Sequence, residues 1–119
     1  MPKMERISIP VRDVQGVLRE PELVDGIRVG PFVVRPLIGV DADGVKRQSV
    51  AKGGLPMWTV SSPTGYAAGN FAGQRRALAA ARALLEVKCC DWETSDPAKT
   101  FPSEETKRAA YDAIRELRL

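Results

Sequence analysis

The chain has 119 residues, 44% of them hydrophobic and 28% charged, and a formal net charge of +3. That length fits one domain, residues 1–119, with a modest core, and the composition excludes a disordered chain. No apolar run approaches the ~20 residues of a membrane helix, and the N-terminal segment has a charge but no apolar stretch of signal-peptide length, so no membrane contact and a cytoplasmic location are expected.

Histidine is absent. Ser-His-Asp and Cys-His catalysis, His-based metal sites and histidine acid–base work near neutral pH are thereby excluded. An enzyme without histidine needs paired carboxylates, an activated lysine or a carboxylate-held metal, and no such constellation stands out. A non-enzymatic protein without catalytic residues, cofactor or metal is expected. Cys89 and Cys90 are adjacent, a spacing at which a disulfide is strained. They read as two reduced thiols near a helix end.

Charge is unevenly distributed. Residues 1–52 hold nine basic and seven acidic side chains, residues 53–90 four and one, and residues 91–119 five and seven. The middle segment is the basic one, with net +3, and the last is acidic, with net −2. This is milder than the basic stripe of a dedicated nucleic-acid binder.

Residues 1–72 read mostly as strands and hairpins. Ile7, Ile9 and Val11 alternate with polar residues, the pattern of a half-buried strand. Residues 13–24 are ambiguous, since Gly16 and Pro21 allow at most a short turn of helix. Asp25-Gly26, just before Ile27, is a hairpin signal. Phe32 to Val40 is an apolar run in which Pro36 marks an edge or a bulge. Asp43-Gly44 is a second hairpin signal, and a two-residue turn there pairs Asp41 with Lys46 across the strands. Residues 45–52 form the return strand. D-A-D-G lacks the later glycine and glutamate of a calcium loop.

Trp58 and Val60 alternate with Thr59 and Ser61 as a strand. Ser62-Pro63-Thr64-Gly65 fits a type I turn, and residues 66–71 return. A helix over 73–88 carries Ala77, Leu78, Ala81, Leu84 and Leu85 on one stripe. Residues 91–102 are a polar linker with two prolines that also carries Trp92 and Phe101. A C-terminal helix over 103–118 has Ser103 as its cap, Glu104 and Glu105 in its first turn, and Ala110, Ala113, Ile114 and Leu117 as its apolar stripe. It packs on the domain, or on a second copy as a homo-oligomer contact or on a partner. No internal repeat stands out. The expected fold is α+β: a small antiparallel sheet of four to six strands packed by one long amphipathic helix, plus the C-terminal helix.

Gly65, Gly69 and Gly73 do not match the phosphate-loop or dinucleotide spacings. Each has a local explanation, as a turn end, a strand bulge or contact point, and a helix start. Arg75 and Arg76 are sharper, because cations in a helix's first turn oppose its dipole and favour an anionic ligand. Together with Lys46, Arg47 and Lys52 they are the candidate phosphate contacts. An exposed Trp58 or Tyr66 would mark a protein-contact surface.

Residues 67–86, AAGNFAGQRRALAAARALLE, resemble the end of a double-stranded-RNA-binding domain. There a last strand leads into a helix opened by paired basic residues. The resemblance covers about 20 of the 119 residues and implies phosphate contacts for Arg75 and Arg76. Separately, W-T-V-S-S-P-T-G-Y followed by a basic, alanine-rich helix resembles hairpin-plus-helix segments of small bacteriophage accessory proteins. That resemblance implies a binder of a host or viral protein in the host cytoplasm. The alternative reading is a nucleic-acid binder.

Overall fold

The computed structural model describes residues 3–13, 15–65, 67–87, 90–93 and 97–118. It is an α+β fold. Five antiparallel strands form the main sheet in the order β1 (Glu5–Arg12), β2 (Leu18–Val29), β3 (Phe32–Pro36), β6 (Met57–Ser61), β7 (Ala67–Ala72), and β4 (Ile38–Val40) and β5 (Lys46–Gln48) form a separate pair.

Alternation builds the first hairpin. In β1 (Glu5–Arg12), Ile7 and Ile9 are buried while Arg6 and Ser8 face out. β1 pairs with β2 (Leu18–Val29), with a bulge between Ile9 and Val11 where Pro10 offers no N–H. Asp25-Gly26 does not turn the chain, contrary to expectation. Both residues lie inside β2, which changes partner there from β1 to β3 (Phe32–Pro36). A Cβ on Gly26 would stand 2.8 Å from Val33 Cγ1, so the glycine serves a close approach. The reversal comes at Gly30-Pro31, where Gly30 has φ +57°.

β6 (Met57–Ser61) and β7 (Ala67–Ala72) flank the expected turn, with Gly65 N–H donating to Ser62 O at 3.2 Å. α1 (Gln74–Glu86) covers one face of the sheet. Phe32, Val34, Val60 and Phe71 meet Ala77, Ala80, Ala81 and Leu84 there, the alanines giving high helix propensity and a close approach. Leu85 was expected in this stripe but lies at its edge and is largely exposed.

The β1–β2 hairpin folds over the opposite face. Ile7 and Ile9 pack on Val33, and Arg12 Nε donates to Thr64 O at 2.7 Å. Beside them, Thr59 bonds Asn70 at 2.7 Å, and Arg35 Nε donates to Ser61 Oγ at 3.0 Å. Burial draws the Arg35 guanidinium below its usual value, opposed by the charge of Glu22.

β4 (Ile38–Val40) and β5 (Lys46–Gln48) form the second hairpin. Its register differs from the expected one: Val40 faces Lys46, and a three-residue loop replaces the two-residue turn. Gly44, at φ +80°, supplies the left-handed residue this loop needs. Asp41 Oδ1 accepts from the N–H groups of Asp43 and Val45, and its Oδ2 pairs with Arg47 at 3.2 Å rather than with Lys46.

The same turn closes the first hairpin. Asp13 Oδ1 accepts from the N–H groups of Gln15 and Val17, its Oδ2 pairs with Arg19 at 2.7 Å, and Gly16 has φ +80°. Residues 13–19, DVQGVLR, and 41–47, DADGVKR, are thus one motif, D-x-x-G-V-x-R, used twice. The shared hydrogen-bond pattern makes visible a repeat that four common residues in seven conceal. The Val17 N–H foremost holds the Asp13 carboxyl below its usual value, helped by Gln15 and Arg19 against partial desolvation.

α2 (Pro97–Thr100) lies in the stretch expected as a linker, and α3 (Glu104–Arg115) continues into a 3-10 turn, Glu116–Arg118. Ser103 Oγ accepts from Thr106 N–H at 3.1 Å, the expected cap. Ala110 and Ile114 are buried against the core of the same chain, and Leu117 packs beside them. Among the described residues no helix is long and apolar enough to cross a membrane.

Candidate functional site

A pocket of about 330 Å³ opens where α3 meets the end of the sheet. Its first wall is one stripe of α3 and the following turn: Lys107, Ala110, Tyr111, Ile114 and Arg118. These positions fall at i, i+3, i+4, i+7 and i+11, which share a helix face. The second wall is Leu84 of α1 with Ala67 and Ala68 of β7, edged by Ser62 and Thr64 of the β6–β7 turn.

The third wall comes from the segment after α1. Trp92 stands edge-on to Phe32 with ring centroids 5.1 Å apart, and Phe101 stands edge-on to Trp92 at 5.6 Å. Such T-shaped pairs add about 0.5–1.5 kcal/mol each beyond their area. Asp91 N–H donates to Thr100 O at 3.3 Å, which ties the ends of the segment together. The stretch expected as a linker is therefore docked on the core through its two aromatics.

The floor is apolar and the mouth is cationic. Lys107 and Arg118 are the charged side chains lining the pocket, and no carboxylate is among the described lining residues. Tyr111 is 57% exposed at the mouth. The Arg118 guanidinium lies 5.7 Å from its ring centroid and donates to its hydroxyl at 3.3 Å. Among the described residues no group of three or more His, Cys, Asp or Glu side chains is placed to hold a metal. The volume is near the lower bound of small-ligand pockets, about 300–1,000 Å³. A cavity of this kind accepts an apolar group whose attached charge is negative.

No family model, curated protein or solved structure matches the chain.

The residues singled out from sequence lie elsewhere. Arg75 and Arg76 are exposed in the first turn of α1, whose cap Gly73 makes no side-chain cap bond and whose first turn has no acid. Lys46 and Arg47 are exposed on β5, and Lys52 is exposed in the loop after it. Gly73 N–H donates to Pro56 O at 2.8 Å and Met57 N–H to Ser49 O at 2.7 Å. These bonds bring the start of α1, the Lys52 loop and the β4–β5 hairpin to one end of the sheet. The pocket is at the other end, where β6 finishes and β7 begins.

Trp58 is half-buried and packs against the core. It faces Phe71 across β6 and β7, so its ring fills the helix-covered face rather than marking an exposed contact. Tyr66 and Cys89 lie outside the described residues. The pocket's Lys107, Tyr111 and Arg118 escaped sequence reading. Their signal was the i, i+4, i+11 spacing beside an apolar stripe, which reads first as a solvated helix flank.

Proposed function

We propose that this chain is a non-enzymatic accessory protein of the bacteriophage or mobile-element type. It acts in the cytoplasm by seating an apolar segment of a host or viral protein in the pocket between α3 and the sheet. The observation that carries this reading is the pocket's make-up: aromatic and aliphatic walls under a polar mouth. Preformed apolar pockets of this kind are where partner proteins place their anchor side chains.

The test is selection of random 12-residue peptides displayed on phage against the immobilised protein. Binding is then compared on Ala67→Trp, which fills the mouth from an exposed β7 position, and on Tyr111→Asp. Peptides that bind the wild type and lose at least tenfold on both variants support the reading. A library that yields no pocket-dependent peptide overturns it.

A second reading rests on the clustering of Lys46, Arg47, Lys52, Arg75 and Arg76 at the opposite end, where they would contact nucleic-acid phosphates. Such contacts give affinity that falls steeply with salt and weakens uniformly across sequences in Arg75→Ala/Arg76→Ala. Failure to bind DNA or RNA at low salt removes this reading.

A further inference from the structure

α3 and the turn after it keep three of their four acids away from the pocket. Glu105, Asp112 and Glu116 repeat the i, i+7, i+11 spacing of Lys107, Ile114 and Arg118, offset by two residues. An offset of two residues is about 200° around a helix. These three acids therefore point away from the pocket while the two cations line it; Glu104, three residues before Lys107, falls on the pocket side of the first turn but is not among the lining residues. This holds although residues 91–119 are net acidic, with five basic and seven acidic side chains. Neither Lys107 nor Arg118 forms an ion pair with a described residue, whereas Arg115 on the outer flank pairs with Asp112 at 3.6 Å. The pocket mouth thus holds two cations whose counter-charge is not supplied by the described part of the chain.

Resting on the reading above, we infer that the pocket's occupant is an extended peptide segment of a partner protein with an apolar centre and an acidic residue on each side. The spacing follows from the helix. Lys107 and Arg118 are eleven residues apart, or about 16 Å at about 1.5 Å per residue. An extended chain rises about 3.3 Å per residue, so carboxylates about five residues apart reach both cations. The residues between them deliver one or two large apolar side chains against the lining formed by Trp92, Phe101 and Ile114. A single-headed amphiphile such as an alkyl carboxylate satisfies one cation and leaves the other, so two separated cations favour the peptide.

The composition of the pocket-dependent 12-residue peptides tests this. The expected result is an apolar pair flanked by Asp or Glu four to six residues apart. A selected peptide should then lose about tenfold or more on Lys107→Glu/Arg118→Glu, both exposed positions, and recover on that double variant when its acids are changed to lysine. Pocket-dependent peptides that lack the flanking acids, or that bind the double variant equally well, overturn the inference while the pocket reading stands. Absence of any pocket-dependent peptide overturns both. Displacement of a selected peptide by dodecanoate at lower concentration than by the free peptide overturns it in favour of a lipid. Concentration-dependent dimerisation abolished by Ala67→Trp overturns it in favour of a second copy.

Discussion

The hairpins closed by residues 13–19 and 41–47 share one turn and differ in everything beyond it. In both, an aspartate binds two backbone N–H groups and an arginine, and a glycine at φ +80° reverses the chain. The β1–β2 hairpin then runs for eight and twelve residues and lays Ile7 and Ile9 on Val33. The β4–β5 hairpin ends after three residues a side and leaves Ile38, Val40 and Val45 exposed. Turn chemistry decides where a chain reverses. The apolar alternation beyond it decides what the hairpin covers, and so how much the hairpin stabilises.

The comparison can be broken by substitution. Ile9→Ala removes a fully packed side chain and should cost about 2–4 kcal/mol in denaturant unfolding. Ile38→Ala, on the exposed hairpin, should stay within about 0.5 kcal/mol. Equal losses would mean that the second hairpin is packed in solution. A smaller effect is expected from the shared glycines. Gly16→Ala and Gly44→Ala each force a left-handed residue and cost about 1 kcal/mol locally. Only the first should appear in global unfolding. The second should appear as faster amide exchange confined to β4 and β5.

The smallest signal is in acid. The Asp13 carboxyl lies below 3.8 when folded, so its stabilisation is present above that value and is lost as pH falls through the folded value. Asp13→Asn should therefore flatten the decline in stability below about pH 4. An unchanged acid limb would remove the carboxylate from the account of the turn.

How much of this was legible depended on range. α1, α3, the Ser103 cap and the Ser62–Gly65 turn are written in local periodicity and capping chemistry, and the structure follows them. Asp25-Gly26 misled because its hairpin signal is local, whereas its role, a close approach to Val33, is set by a neighbouring strand. Asp43-Gly44 does mark a reversal, but Asp41 draws two N–H groups into a longer loop and shifts the register by one. The pocket was out of reach, because its walls come from separate stretches: part of residues 62–68, Leu84, Trp92 and Phe101, and the Lys107 stripe of α3. Two prolines and several charges made residues 91–102 look solvated, until Phe32 gave Trp92 an edge to pack on.

That seam has a thermodynamic consequence. One wall belongs to the sheet and α1, and the other to residues after α1, joined in part through the rings of Phe32, Trp92 and Phe101. Regions held by few contacts open separately from the global transition. An occupant gripping both walls works as a clasp, and its binding energy adds to the closed side of that local equilibrium. Occupancy should therefore slow proteolytic nicking within residues 97–118 and raise the melting temperature together, both by the same dependence on ligand concentration.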